Sequence, residues 1–559
     1  MTRTQNIKKN LIFNTIKYVT NLLLQFLLRT VLIYYMGAEY LGLNGLFTNI
    51  FSFLNLAELG IGSAIVFSMY KPIADGDTEK VGALEHLYKK FYMIIALVVG
   101  IVGLAITPFI KYFMSGGVTV DINIYVLYIM YLVYTLIGYF AAHKRSLLFA
   151  YQRNDVENKI KTICIVGMTI IQIIVLMVFK NYYLYFSVSI LSTLIECILI
   201  RIIADKMFPE IRGKAGTIDD ATKKEITKNV TALSMHKIGS AVVYSTDNIL
   251  ISTFFGVVLL GAYSNYYLII SSLISVFTLL SNALLASVGN LIASSDSEYV
   301  YDKYKLISFI FAYLSAFCTI CLVSLFQPFI NKWTGGGEYL LEMSTVIIIC
   351  VSFYLMRMRT AVSIFKDSAG LYWFNRWQPI IESVVNLVVS IILAKLIGIN
   401  GIFIGTIIST VVAPLWWEPT VLYKHYFKKP LKGYFIRYIR DFVIMAISCT
   451  VTFLVCGLIP DGGVGLLIIK FAVCIVLSNI LLIFAYLPTK DFRNCFAFGK
   501  GILNKLFKKN KKVVTEPTSD SVDSAIGGTI DDKNGEELSN NDIEKIETKE
   551  SQSTHKNID

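Results

Sequence analysis

Apolar runs long enough to cross a bilayer follow one another from residue 11 to residue 487, with only short polar or basic connections between them. A helix needs about 20 mostly apolar residues to span roughly 30 Å of hydrocarbon. The runs fall near 11–36, 41–69, 91–114, 122–143, 161–180, 183–205, 229–255, 262–293, 306–330, 340–362, 377–397, 401–423, 436–459 and 463–487. About fourteen such segments leave no room for a sizeable soluble domain, so the chain is expected to be an all-α integral membrane protein. Hydrophobic residues at 55% and charged residues at 16% of 559 positions fit that class. Arg3, Lys8 and Lys9 precede the first run as in a signal peptide, but the run is too long and no small-residue cleavage site follows it. It is expected to be an uncleaved first span.

The formal charge of +12 would suggest nucleic acid in a soluble protein. Its placement gives another reason. If the N-terminus is cytoplasmic, the inner loops and flanks hold most of the Lys and Arg, from Lys71, Lys80, Lys89 and Lys90 to Arg437 and Arg440, and the outer side holds Lys111, Lys180, Lys332, Lys395 and Lys470. Lys and Arg resist translocation, so both termini are expected in the cytoplasm and no nucleic-acid partner is needed. Arg357 and Arg359, at the inner end of the tenth run, follow the same rule. Most of the nine cysteines lie inside apolar runs and follow no disulfide or zinc spacing, so no metal or redox role is expected.

A duplication is visible. Pro108-Phe109-Ile110 with Phe113 and Gly116-Gly117 recurs as Pro328-Phe329-Ile330 with Trp333 and Gly336-Gly337, an offset of 220. Gly37, Leu41 and Gly42 recur as Gly256, Leu260 and Gly261, and Ala74–Glu79 resembles Ala293–Glu298, both at 219. Ser192-Thr193 meets Ser409-Thr410 at 217. A nearly constant offset at separated places indicates two copies of a six-helix unit with the same orientation, related about an axis along the membrane normal. The expected organisation is a first lobe over 1–210, an inter-lobe cytoplasmic loop over 211–228, a second lobe over 229–425 and two further helices over 426–490. Residues 491–512 interleave Phe, Ile and Leu with Lys, as a helix lying on an anionic leaflet or a solvated basic stretch would. The polar, acidic 513–559 segment is expected to be disordered.

Polar residues inside spans are costly, so their pattern carries information. Asn14, Lys17, Asn21, Gln25 and Arg29 are spaced by three or four residues and are expected to share one helix face. The repeat places His236, Ser240, Tyr244 and Asn248 opposite positions 17, 21, 25 and 29, with Lys237 and Asp247 beside them. Two such faces meeting between the lobes would line one wet, cationic cavity, to which Asn55 of the second span is added. The plainer alternative has Lys17 and Arg29 snorkelling to opposite interfaces. Glu58 and Asp247 are the candidates for ion coupling, with neutralisation of a neighbouring cation as their alternative; Glu196 and Glu382 are further buried acids. There is no G-x-x-x-x-G-K-[ST] phosphate loop and no long outer loop with clustered carboxylates or His, so neither ATP use nor enzymatic activity is expected.

Tyr35-Met36-Gly37 with Leu41-Gly42, and Ala57-Glu58-Leu59-Gly60-Ile61-Gly62-Ser63-Ala64, in a chain of six plus six plus two spans, resemble a Wzx/PST-type polysaccharide exporter of the multidrug/oligosaccharidyl-lipid/polysaccharide (MOP) superfamily. The resemblance covers roughly residues 5–490 and implies a MATE-like fold. It further implies a central cationic cavity, faced by Lys17 and Arg29, through which a polyprenyl-diphosphate-linked oligosaccharide crosses the cell membrane by alternating access. His236 and Asn248 stand at the repeat-related sites, so the second lobe's share of positive charge rests on Lys237. No cofactor is implied, only coupling to a proton or sodium gradient. The implied partners are membrane lipids, a polysaccharide polymerase and assembly proteins. The alternatives are a drug or cation antiporter of the same superfamily and a flippase for the peptidoglycan lipid precursor.

Overall fold

The computed structural model describes residues 3–55, 61–211, 218, 246–497 and 500–501, and of residues 3–15, 61–65 and 286 the backbone alone. Helix follows helix through the first lobe as α1 (Arg3–Met36), α2 (Ala38–Leu54), α3 (Ile61–Ala74), α4 (Thr78–Ile106), α5 (Ile124–Tyr139), α6 (Ala142–Ala150), α7 (Asn154–Phe179) and α8 (Tyr182–Met207). The second lobe has α9 (246–255), then α10 (Val257–Ser294), α11 (Ser297–Thr334), α12 (Met343–Met358), α13 (Thr360–Ser368), α14 (Gln378–Ile397), α15 (Ile399–Val412) and α16 (Pro414–Leu422). The last pair, α17 (Lys432–Gly457) and α18 (Val464–Tyr486), packs on α11.

Among the described residues, 12 helical segments are long and apolar enough to cross a membrane. The expected span 41–69 is α2 and α3 on either side of residues 56–60, and 229–255 is described only from 246, so neither enters that number. Outward faces are apolar: Leu97, Ile163, Val178, Leu396 and Ile468 are 62–72% exposed. Such a surface suits lipid, where a polar backbone must satisfy itself and an apolar side chain loses nothing.

Three expected single spans, 122–143, 340–362 and 401–423, are each two helices. Pro414 cannot donate a backbone hydrogen bond, so α15 stops at Val412 and α16 restarts after Ala413. The other two breaks swing charged turns onto buried acids. Lys144 of α6 reaches Glu85 and Asp205, both at 2.6 Å. Arg359, at the break, stands 3.5 Å from Glu382, and Lys366 of α13 3.2 Å from Glu418. These pairs neutralise charges that would otherwise be unpaired in a low-dielectric interior, and Glu382 is one of the neutralising partners.

The duplication is structural. α2 and α10, α4 and α11, and α5 and α12 begin 219 residues apart, at Ala38 and Val257, Thr78 and Ser297, Ile124 and Met343. The residues before α2 and α10, Gly37 and Gly256, adopt the same backbone, with φ of 86° and 89°. That left-handed region strains any residue with a Cβ. Five residues on, the two copies cross. A Cβ on Gly42 would collide with the Val257 carbonyl, and one on Gly261 with the Ala38 carbonyl. Since Ala38 matches Val257 and Gly42 matches Gly261, each contact is the image of the other, and around it Leu41, Leu43, Leu46, Phe47 and Leu260 are wholly buried in a core shared by both lobes.

The chain divides into two compact units, Met1–Cys495, which holds all these helices, and Phe496–Asp559. The segment 491–512 is helical where described, at 491–497 and 500–501; its remainder, most of the 211–228 loop and the 513–559 tail lie outside the described residues.

Candidate transport cavity

The polar residues of α1 do not all point one way. In a helix turning about 100° per residue, each four-residue step advances roughly 40° beyond a full turn, so three steps carry Arg29 about 120° from Lys17. The structure shows the consequence. Lys17 Nζ donates to Asn158 Oδ1 of α7 at 2.7 Å, inside the first lobe. Arg29 crosses to the second lobe, where its Nε donates to Asn265 Oδ1 of α10 at 2.9 Å and its terminal nitrogen to the Ser264 hydroxyl. The expected single face is thus a spiral that serves two surfaces.

Between these ends, Asn21 and Gln25 line a cavity of about 470 Å³ enclosed by α1, α5, α6, α7 and α8, with Asn55 at its edge. Asn55 is held by the Tyr139 hydroxyl, which donates to its Oδ1 at 2.5 Å. Opposite stand Lys161 and Thr169 of α7, Ser192, Thr193 and Glu196 of α8, and Arg145 of α6. The Arg145 guanidinium donates to Glu196 Oε1 at 2.9 Å. Amides, hydroxyls, two cations and one carboxylate paired with Arg145 form a polar compartment inside a lobe whose outside is apolar, and such groups are costly in a membrane interior unless partnered. Lys161, Thr169, Ser192, Thr193 and the Arg145–Glu196 pair belong to this site as much as the α1 residues do. Lys161 and Thr169 lie on one side of α7 with the apolar Ile165 between them, which interrupts any polar period of four and hides this wall from a polar-face search.

The second lobe's counterpart is nearly full. Asp247 and Asn248 border a crevice of about 70 Å³ with Tyr263, Tyr267, Ser352, Arg357 and Phe403. The Tyr263 and Phe403 rings, 5.0 Å apart, occupy the space. Thr406 Oγ1 donates toward Asp247 Oδ2 at 3.2 Å and accepts from Asn386 Nδ2 at 3.0 Å. Asn248 is buried. Asn21, Gln25 and Asn55 of the first set and Asp247 and Asn248 of the second therefore line one pocket in each lobe, while Lys17 is bound to Asn158 outside that lining and Arg29 joins the lobes. His236, Lys237, Ser240, Tyr244 and Glu58 lie outside the described residues, as does the Asn14 side chain.

On the side away from most Lys and Arg, hereafter the far side, the lobes are latched twice. From the first lobe, Ser115 N donates to Ser252 O at 3.1 Å, and Ser252 Oγ donates to Phe113 O at 2.6 Å. From the second, Trp333 Nε1 donates to Thr30 Oγ1 at 2.8 Å. Phe113 and Trp333 are repeat-related, but one offers its main-chain carbonyl and the other its indole, so matched positions latch the lobes by different bonds.

No family model and no curated protein sequence matches the chain. Solved structures do. The lipid II flippase MurJ in an inward closed conformation aligns with a TM-score of 0.61 at 15% identity, covering 85% of this chain and 99% of that one. The chain has the MurJ and MATE fold. A mutant of the Vibrio cholerae MATE transporter VcmN aligns at 0.53 with 13% identity, over 76% of this chain and 99% of that one. An inward-facing multidrug resistance MATE family transporter of the MOP superfamily aligns at 0.51 with 14% identity, over 72% and 94%. Identities this low carry the fold and leave the cargo to the chemistry of the cavity.

Proposed function

We propose that this chain is a flippase moving polyprenyl-diphosphate-linked oligosaccharide units across the cytoplasmic membrane for surface polysaccharide synthesis. The observation that carries this reading is the cavity of about 470 Å³ in the first lobe, lined by amides and hydroxyls together with Arg145 and Lys161. A glycan brings many hydroxyls, each costing several kcal/mol if unpaired in hydrocarbon, and its diphosphate brings charges that cost far more. Amides and hydroxyls satisfy the sugars, while Lys17, Lys161 and Arg145 offset the phosphates and the isoprenoid stays in lipid. Arg29 takes the diphosphate when the lobes part and its bonds to Ser264 and Asn265 are released.

In this reading the termini are cytoplasmic, the far side is the cell exterior, and the latched lobes give the state open to the cytoplasm. Alternating access needs the latches to break and the basic side to close. Asp247, or Glu58, takes up a proton or sodium ion to drive the return; no other cofactor and no catalytic step is required. A polysaccharide polymerase and assembly proteins receive the cargo on the exterior.

A second reading, transport of the peptidoglycan lipid precursor, is favoured by the likeness to a lipid II flippase. A third, export of organic cations, is favoured by the MATE likenesses and by Glu196 and Asp247. Depletion of the protein separates them. Accumulation of a lipid-linked surface-glycan intermediate on the cytoplasmic leaflet supports the proposal, accumulation of lipid II supports the second reading, and accumulation of neither, with tight binding of a fluorescent organic cation, supports the third.

A further inference from the structure

A second, unrelated site lies on the far side, where α11 and α18 leave the apolar layer. The last turns of α11 and the connection between α17 and α18 enclose a hollow of about 340 Å³ lined by Asn331, Lys332, Pro460, Asp461, Gly462 and Lys470. Cations are scarce on this side, and two of the five that the sequence places there meet in this hollow. Lys470 sits within an apolar helix with its side chain only 8% exposed, and its Nζ is 2.7 Å from Oδ1 of Asp461, a carboxylate 70% exposed. Two cations against one carboxylate leave one positive charge in excess.

Along the same two helices runs an apolar groove of about 520 Å³, with Leu325 and Phe329 of α11 on one wall and Leu467 and Phe471 of α18 on the other. Leu467 borders both spaces, so they adjoin. Ile468 and Phe471, 62% and 52% exposed, leave the groove open sideways to lipid.

We infer that this is a binding site for an anionic phospholipid of the far leaflet, its phosphate between Lys332 and Lys470 and one acyl chain in the groove. A free anion has no use for the groove, and an apolar molecule has none for the lysines. A zwitterionic lipid carries its own cation and leaves the excess charge unmatched. Only a lipid of net negative charge complements both halves. The site also touches the latch. Phe26 of α1 closes the groove, and Phe26 and Phe329 hold the Trp333 ring at centroid distances of 5.5 and 5.7 Å. An acyl chain packed there braces the ring whose indole bonds Thr30, so the occupied site stabilises the latched state. This inference is independent of the cargo.

The test uses the full-length protein in nanodiscs of equimolar phosphatidylglycerol and phosphatidylcholine, released into the mass spectrometer with its tightly held lipids. The wild type retains phosphatidylglycerol in preference. The Lys332→Gln, Lys470→Gln double variant lowers that preference by about fivefold for each Lys removed. Asp461→Asn, which takes the counter-charge from Lys470 and leaves both lysines to the phosphate, raises it. Unchanged preference in the double variant, or unchanged or lowered preference in Asp461→Asn, overturns the inference. If the double variant does not fold, as its melting would show, Asp461→Asn decides alone.

Discussion

Removing Arg29 should open the far side. Its guanidinium ties α1 to α10 through Asn265, at 2.9 Å, and Ser264, and Asn265 is fully buried. A hydrogen bond from a charged donor contributes about 1.5–3 kcal/mol in soluble proteins. Interhelical bonds within membranes average nearer 0.6 kcal/mol, with a maximum of about 1.7. Two such bonds therefore favour the latched arrangement by about 1–3 kcal/mol, and losing them raises the open population roughly 5- to 150-fold. The reporter is a cysteine at Ala38, which is 4% exposed beside the latch, labelled by a membrane-impermeant maleimide. When opening is fast relative to labelling, the rate tracks the open fraction. Arg29→Ala, Asn265→Ala and the double variant complete a cycle, with labelling in the double close to that of Arg29→Ala alone, which already loses the bond to Asn265. Additive singles, within about 0.5 kcal/mol, would show that the two residues do not couple and refute the inter-lobe role of Arg29.

Further outcomes are expected elsewhere. Gly42→Ala and Gly261→Ala place a Cβ into a facing carbonyl and should lower folded yield by overpacking of about 1–3 kcal/mol or more, whereas Gly138→Ala and Gly167→Ala enter open space and should melt like the wild type. Arg145→Gln and Glu196→Gln should each lower the melting temperature more than the double variant does, because a lone charge left in a buried site costs more than a neutral pair. Lys17→Ala and Arg29→Ala should each reduce surface polysaccharide per folded transporter, with Arg29→Lys partly active and Arg29→Glu inactive; normal export by the double alanine variant would remove both from the transport path. Deletion of 513–559 should leave export unchanged, and loss equal to that from a truncation near residue 490 would show that the tail has a role.

Legibility in the sequence followed the kind of force involved. Bilayer thickness acts on every span, so apolar run length locates the helices, and the duplication is legible because Gly37, Gly42 and their counterparts Gly256 and Gly261 are held by backbone geometry that no other residue fits. The breaks within three spans were not legible. Two depend on ion pairs between distant segments, such as Lys144 with Asp205 and Lys366 with Glu418, and charge composition says nothing about which partner is reached. Arg145 and Arg359, which charge placement alone would assign to orienting the chain, bind Glu196 and Glu382, a pairing that charge placement does not reveal.

The site was legible along one helix and illegible across helices. A polar spacing of four picks out Asn21 and Gln25, which line the first-lobe cavity, but reading it as one face ignores the drift that sends Lys17 to Asn158 and Arg29 to Asn265. Repetition misleads in a different way. It keeps backbone positions equivalent, which is why α2 crosses α10 symmetrically, while side chains at matched positions are free to diverge. Glu196 of the first cavity corresponds at the offset of 217 to Ala413 beside the α15–α16 break, and the described wall of the second lobe's crevice carries the Tyr263 and Phe403 rings. Among the described residues, the first lobe has a cavity of about 470 Å³ and the second a crevice of about 70 Å³. Two copies of one backbone can thus carry unlike pockets, because packing constrains where the helices cross and leaves the facing side chains free, as where Asp247 meets Thr406 in the second lobe.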